Sequence, residues 1–185
     1  YILKPINEDG SVGLDEDSVF DINKTKYLKK ISTLSKTNYF IEEFIDGREF
    51  NVSLLGSDDN IKILEPAEII FKDFPEGKEK VLGYKAKWDE NSFEYKNTIR
   101  LFDTLPTDSK LYLEIKKISA QCCKIFSLNG FARVDFRVDE NDNIYVIEIN
   151  ANPCISPDSG FVAAAHKSGL SDTQIIKKII EKLIC

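Results

Sequence analysis

An α+β fold is what this sequence predicts, on three observations. Residues 39–70 carry three strand-like runs in succession, with no helical spacing among them. Residues Gly130–Asn150, GFARVDFRVDENDNIYVIEIN, alternate as a two-stranded hairpin. Helical spacing is confined to separate segments, chiefly those following Thr107 and Ser171. Strands grouped in runs and helices segregated from them are the pattern of an α+β chain.

Tyr1–Lys4 reads as a strand, and Pro5–Asp15 as a loop with Gly10 and Gly13. Lys24–Ser35 is a short helix with Tyr27, Leu28, Ile31 and Leu34 on its apolar stripe. Strands follow at Tyr39–Phe44, Glu49–Leu55 and Ile61–Ile70, the last open to a break at Pro66, which has no N–H for a ladder. Residues 72–100 are turn-rich, with Trp88 alone among charges; a loop that long works as a lid or binding loop. Thr107 or Asp108 caps a long helix in which Leu111, Ile115, Ile118, Cys122 and Ile125 recur at helical spacing, and Gly130 stops it. A small-residue helix spans Gly160–Lys167. The last helix opens on a capping box, Ser171 to Gln174, and carries Ile175, Ile176, Ile179, Ile180 and Leu183 on one stripe.

Chemistry concentrates in the hairpin. On its first strand Ala132, Val134, Phe136 and Val138 alternate with Arg133, Asp135 and Arg137. On its second, Tyr145, Ile147 and Ile149 share one face and Glu148 and Asn150 the other. A two-residue loop (Asn141-Asp142) or a four-residue loop (Glu140–Asn143) sets Asp135 opposite Glu148 and Arg133 opposite Asn150. A three-residue loop shifts that pairing. Like charges directly opposite destabilise a ladder. Two readings fit: a cation site, for which two carboxylates and an amide oxygen suit Mg²⁺ or Mn²⁺, or a solvated acidic hairpin with Arg133 and Arg137 as partners. Because repulsion would be relieved, removing Asp135 or Glu148 is expected to leave the fold intact.

Composition narrows the classes. The 185 residues are 42% hydrophobic and 30% charged, enough for a packed core and not a disordered composition. A net charge of −6 argues against nucleic acid or an anionic membrane as the main partner. No apolar run approaches a membrane span, and Tyr1 does not open a signal peptide. Cys122 and Cys123 are neighbours in a helical pattern, while Cys154 and Cys185 lie far off. That is neither a disulfide framework nor zinc spacing, so reduced thiols in the cytoplasm are expected. The single histidine, His166, reads as a surface residue. The chain has no Met and opens on what resembles the end of a strand, so it is expected to be the C-terminal piece of a longer protein.

Six pieces occur in order: LKP with the Gly10-Ser11-Val12-Gly13 loop, IEEFIDGREF, YKAKW, the long helix, ARVDFRV, and EIN before a Pro-containing loop. Together they resemble the ATP-grasp superfamily, and within it the D-alanine–D-alanine ligase group, from Lys4 to the C-terminus. The resemblance implies a mainly antiparallel sheet with helices packed on one side. Residues 1–41 would be a remnant of the small ATP-grasp subdomain with the phosphate loop, and 42–185 the large subdomain with hinge, lid and metal site. It implies a carboxylate–amine ligase that makes D-alanyl-D-alanine, a peptidoglycan precursor, through an acyl phosphate. Its partners would be small amino acids, probed first with D-alanine, and the whole protein a candidate homodimer.

The same resemblance distributes roles. Lys4 and the loop of Gly10, Ser11 and Gly13 would meet ATP phosphates, since glycine lets backbone N–H groups approach closely. Glu42 would accept from the adenine amino group, Glu43, Phe44 and Ile45 would give backbone contacts and an apolar wall, and Glu49 would bind the ribose hydroxyls. Lys87 would close over the phosphates, with Lys85 as its rival and Trp88 as the loop's anchor. Asp135, Glu148 and Asn150 would hold two Mg²⁺ or Mn²⁺ ions, Arg133 would stabilise the tetrahedral transition state, and Ser159 would hold the second substrate's carboxylate. Three departures stand out: Glu43 where the family often has Lys, Cys154 where it has Gly, and Asp158 beside Ser159. They leave open a ligase for a different amino or hydroxy acid, a nucleotide-binding module without ligase activity, and an ATP-grasp kinase.

Overall fold

The computed structural model describes residues 1–24, 32, 38–56 and 60–180. The helix expected over Lys24–Ser35 therefore lies, but for two residues, outside the described residues, as does Leu183. The strands are β1 (Ile2–Pro5), β2 (Tyr39–Glu42), β3 (Arg48–Gly56), β4 (Lys62–Ile63), β5 (Ala67–Phe71), β6 (Thr98–Leu101), β7 (Gly130–Val138) and β8 (Ile144–Asn150). The helices are α1 (Tyr84–Trp88), α2 (Phe93–Asn97), α3 (Lys110–Ile125), α4 (Gly160–Lys167) and α5 (Asp172–Ile180). The chain divides into two compact units, Tyr1–Ile45 with Phe71–Ile99, and Asp46–Ile70 with Arg100–Cys185. The sequence placed a single boundary after residue 41; in the structure residues 71–99 group with the N-terminal segment.

In the first unit β1 and β2 pair antiparallel, Ile2 opposite Glu42 and Lys4 opposite Phe40. The stretch from 72 to 100, expected to be turns, folds into α1 and α2 and runs into β6. Short helices form there because Ser92 caps α2, its Oγ accepting from Tyr95 N at 3.0 Å. An aromatic cluster completes the segment, with the Phe74 ring 5.3 Å from that of Phe71 and 5.4 Å from that of Phe93.

The larger sheet has the order β6-β5-β3-β7-β8, with β4 paired to β3, and β3, β4, β7 and β8 lie wholly in the second unit. β3 pairs antiparallel with β4, β5 and β7, and β7 with β8. The break in the third predicted strand falls where Pro66 stands, between β4 and β5. Phe50, Val52 and Leu54 of β3 and Val134, Phe136 and Val138 of β7 share one face, and α3 covers it with Leu111, Ile115, Cys122 and Cys123. Each such side chain contributes about 1.5–3 kcal/mol when fully buried. A smaller cluster gathers Leu55 and Leu64 with Phe161, Ala165 and Ile175 from α4 and α5.

Several local readings shift. Ser109, not Thr107 or Asp108, caps α3, its Oγ accepting from Tyr112 N at 3.3 Å. Ile125 is 74% exposed. The buried stripe runs instead through Ser119 and Cys123, because Ser119 Oγ donates to Ile115 O at 2.8 Å and so can sit in the core. Gly130 does not stop α3; the helix ends at Ile125, Ser127 turns through φ +50°, and Gly130 opens β7 at φ +78°. The Ser171–Gln174 capping box forms, with Ser171 N donating to Gln174 Oε1 at 2.8 Å. Of the α5 stripe Ile175 is buried, while Ile176 and Ile180 are exposed. His166 is at the surface, paired with Asp172 at 2.7 Å.

Candidate functional site

On the face of the sheet opposite the α3 core, β3, β7 and β8 present polar residues in three rows. The register places Asn51 opposite Asp135 and Asp135 opposite Glu148. One row to one side holds Glu49, Arg137 and Tyr145; one row to the other holds Ser53, Arg133 and Asn150. The predicted pairs Asp135–Glu148 and Arg133–Asn150 are both present.

They are reached by a different route. Val138 pairs with Ile144, Arg137 with Tyr145 and Phe136 with Val146, so the hairpin turns on the three-residue loop 140–142 that the sequence reading set aside. Asp139 makes that loop: its Oδ1 accepts from Asn141 N and Asn143 N, both at 2.9 Å, and Asp142 takes φ +59°. A three-residue turn closed by a residue in the left-handed region is a common hairpin solution. The Asn143 side-chain amide, donating to Asp139 Oδ2 at 2.9 Å, and those backbone hydrogen bonds hold the Asp139 carboxyl below its ordinary range. A β-bulge at Ile147 then adds one residue to β8 and restores the expected register at Glu148. Tyr145 consequently joins Glu148 and Asn150 on the polar face, and Ile144 turns with Ile149 toward the core, correcting the predicted grouping of Tyr145, Ile147 and Ile149.

Asp135 is 4% exposed, and both its oxygens are held by Arg133, Nε to Oδ1 and Nη2 to Oδ2, each at 2.7 Å. Burial pushes the Arg133 guanidinium down, but the hydrogen bonds and charge of Asp135, with Glu148 and Glu49 beyond, outweigh it and leave the group above its ordinary value. Glu49 is likewise buried and paired with Arg137 at 2.9 Å. Glu148 keeps an exposed side. Among the described residues no three His, Cys, Asp or Glu side chains cluster as a metal site. The donor set is two facing carboxylates and the Asn150 amide, all oxygen, which fits a hard divalent cation.

Two residues of this unit were not singled out from the sequence. Asn51 is 8% exposed and its Nδ2 has no hydrogen-bond partner. Its alternation with Glu49 and Ser53 was readable, but its facing strand was not. Arg100 lies against Gly160, where an added Cβ would come within 3.3 Å of Nε, and donates a long hydrogen bond of 3.4 Å to Asp158 O. Burial and the neighbouring Arg133 push its guanidinium below the ordinary value. Ser159 caps α4, its Oγ accepting from Val162 N at 3.3 Å. In the loop before it, Ser156 Oγ lies 3.1 Å from Cys154 Sγ and donates to Asp158 Oδ1 at 2.7 Å.

The remaining candidates lie in the first unit. Lys4 pairs with Glu42, so two residues assigned to different parts of ATP hold one another. Gly10, Ser11 and Gly13 all have positive φ, as the tight loop requires. Ser11 Oγ donates to Leu82 O at 2.7 Å, and Trp88 Nε1 donates to Gly10 O at 2.8 Å. Trp88 thus anchors the segment bearing Lys85 and Lys87 to the glycine loop. Lys87 is half-buried and Lys85 exposed. Glu43, Phe44 and Ile45 lead out of β2 to the point where the chain enters the second unit.

An antiparallel sheet with this strand arrangement, helices against it, and a carboxylate pair on β7 and β8 is an ATP-grasp domain. The chain belongs to the family described as D-ala D-ala ligase C-terminus, whose model matches residues 1–181. It is 32% identical over 189 residues to a D-alanine–D-alanine ligase of Caldicellulosiruptor bescii, covering 98% of this chain and 46% of that one. It is 27% identical over 184 residues to the ligase of Prochlorococcus marinus, covering 98% and 47%. The crystal structure of D-alanine–D-alanine ligase from Bacillus anthracis superposes with a TM-score of 0.71 at 27% identity, over 97% of this chain and 53% of that one. The chain spans about half the length of the curated relatives it matches.

Proposed function

We propose that the protein carrying this chain is an ATP-dependent carboxylate–amine ligase that joins two D-alanines into a peptidoglycan precursor in the cytoplasm. The observation behind this reading is Asp135 facing Glu148, with Asn150 beside them, in a chain of the D-alanine–D-alanine ligase family. The γ-phosphate of ATP passes to the first amino acid's carboxylate, giving an acyl phosphate. The amine of the second attacks that carbonyl, and phosphate leaves. Among the described residues no helix is long and apolar enough to cross a membrane.

Membership of the family suggests the roles. Lys4 would leave Glu42 to meet the phosphates, and the loop of Gly10, Ser11 and Gly13 would cover them with backbone N–H groups. Glu42 would then accept from the adenine amino group, with Glu43, Phe44 and Ile45 along the base and Glu49 on the ribose. Lys87, carried on the segment that Trp88 anchors, would close over the phosphates. Asp135, Glu148 and Asn150 would hold two Mg²⁺ or Mn²⁺ ions, which when bound neutralise charge developing at the γ-phosphate. Arg133 would stabilise the tetrahedral transition state, and Ser159 would hold the second substrate's carboxylate at the start of α4. Residues 1–41 and 42–185 are proposed as the small- and large-subdomain portions, and a homodimer as the whole protein's assembly.

A second reading, a ligase for another amino or hydroxy acid, is favoured by the Cys154, Ser156 and Asp158 chain of contacts next to Ser159. The test is phosphate release by the whole protein across a panel of D- and L-amino acids with Mg·ATP. Release stimulated by D-alanine, with dipeptide formed, supports the first reading. Stimulation by a different acid supports the second. Nucleotide binding without amino-acid-dependent release overturns both.

A further inference from the structure

Asn51 occupies the centre of the polar face yet leaves its amide N–H groups without an acceptor. Across the sheet its neighbours are Ala67 on β5, which offers no side-chain acceptor, and Asp135 on β7. Directly opposite residues in an antiparallel pair have their Cβ atoms about 4.5–5.5 Å apart, close enough for an amide to reach a carboxylate. In this structure Asp135 accepts from the Arg133 fork, one hydrogen bond on each oxygen, and not from Asn51, although each oxygen keeps a further lone pair. A buried donor left unpaired beside a carboxylate with acceptor capacity to spare points to a second arrangement in which the two meet.

We infer that Asn51 is a positioning residue: when a divalent cation lies between Asp135 and Glu148, the Asn51 amide takes over one Asp135 oxygen from Arg133 and frees the guanidinium for the substrate. This rests on the cation reading of Asp135 and Glu148 above. A guanidinium and a divalent cation on one carboxylate repel, so cation binding favours Arg133 leaving. The cation then compensates the Asp135 charge, and the oxygen that Arg133 gives up keeps a hydrogen bond if the Asn51 amide turns to it. An amide suits that place, because it donates a hydrogen bond and carries no charge to oppose the cation. Arg133 would thereby be withheld from substrate until the cation is in place, coupling metal loading to completion of the site.

The test is direct Mn²⁺ binding by this chain, read from the electron paramagnetic resonance signal of free Mn²⁺, without nucleotide or turnover. Wild type is compared with Asn51→Leu, which removes the donor at similar volume, with Asn51→Thr, which keeps an O–H donor, and with Glu148→Gln. The expected result is a loss of about 10–100-fold in Mn²⁺ affinity for Asn51→Leu, the range for groups that orient a metal ligand, with partial rescue in Asn51→Thr. Without metal, Asn51→Leu should melt no lower than wild type, since an unpaired buried donor has been removed. In ¹⁵N spectra the Arg133 Nε–H resonance should shift on adding Mg²⁺ in wild type and stay fixed in Asn51→Leu. Unchanged Mn²⁺ affinity in Asn51→Leu, with binding lost in Glu148→Gln, overturns the Asn51 role alone. Wild-type protein that binds no Mn²⁺, or binding that survives Glu148→Gln, overturns the cation site and the Asn51 role together.

Discussion

Removing Asp135 and removing Glu148 should have opposite effects on stability, although both should end Mg·ATP turnover. Relief of like-charge repulsion alone would make the two alike, at about 0.2–1 kcal/mol each. The structure separates them. Asp135 is 4% exposed and is the bidentate partner of Arg133, whose side chain is 16% exposed, whereas Glu148 is exposed and makes no such fork. Breaking a buried pair by deleting one partner costs about 3–5 kcal/mol. Glu148 and Glu49 remain near the guanidinium and offset part of that, which favours the lower end. Asp135→Ala should therefore lose about 3 kcal/mol, or about 6–12 °C in melting temperature for a chain this size. Glu148→Ala should hold its melting temperature or gain slightly. Thermal unfolding followed by circular dichroism, with urea titration as a second probe, measures both. Equal melting temperatures for the two variants would refute the reasoning, since the fork would then contribute nothing to folding.

Three further outcomes are expected. Lys87→Ala should lower turnover of the whole protein far more than Lys85→Ala, and equal effects would mean that the closing lysine is misassigned. Gly47→Ala should destabilise by more than the ~1–3 kcal/mol of backbone strain, because φ is +141° and a Cβ would sit 2.1 Å from Val138 O; urea unfolding reads it. Burial and Glu65 push the Tyr112 hydroxyl up to about 12 from its ordinary 10.0. Its folded value is raised, so the stabilisation is fully present below pH ~10 and fades as pH climbs toward ~12. Wild type should lose stability more steeply than Tyr112→Phe across that window in unfolding measured at stepped pH.

The local alternation of 132–138 and the Glu-x-Asn spacing of 148–150 made the polar face of the hairpin legible from sequence, and the Gly-Ser-Val-Gly loop likewise. The loop length was not. Two features, the Asp139 turn and the Ile147 bulge, each shift the pairing by one residue and cancel at Glu148. No residue pattern distinguishes a bulged β8 from a regular one, so the register came out right at Asp135 and wrong at Tyr145. The Arg133–Asp135 fork was available in principle, since residues two apart on a strand share a face. Asn51 was not, because its importance depends on β3 lying beside β7, a pairing of residues far apart in the chain. The α3 stripe was misplaced at its end because a serine that bonds its own helix can be buried like an apolar residue.

The most direct test of the metal-dependent ligase reading is phosphate release by the whole protein with D-alanine and ATP, titrated with Mg²⁺, for wild type and Glu148→Ala side by side. Wild type should require Mg²⁺. Glu148→Ala, with its melting temperature intact, should fall by more than the ~100-fold that loss of an orienting neighbour gives. Wild-type turnover by Glu148→Ala would contradict the assignment of Asp135 and Glu148 as the pair that holds the cation.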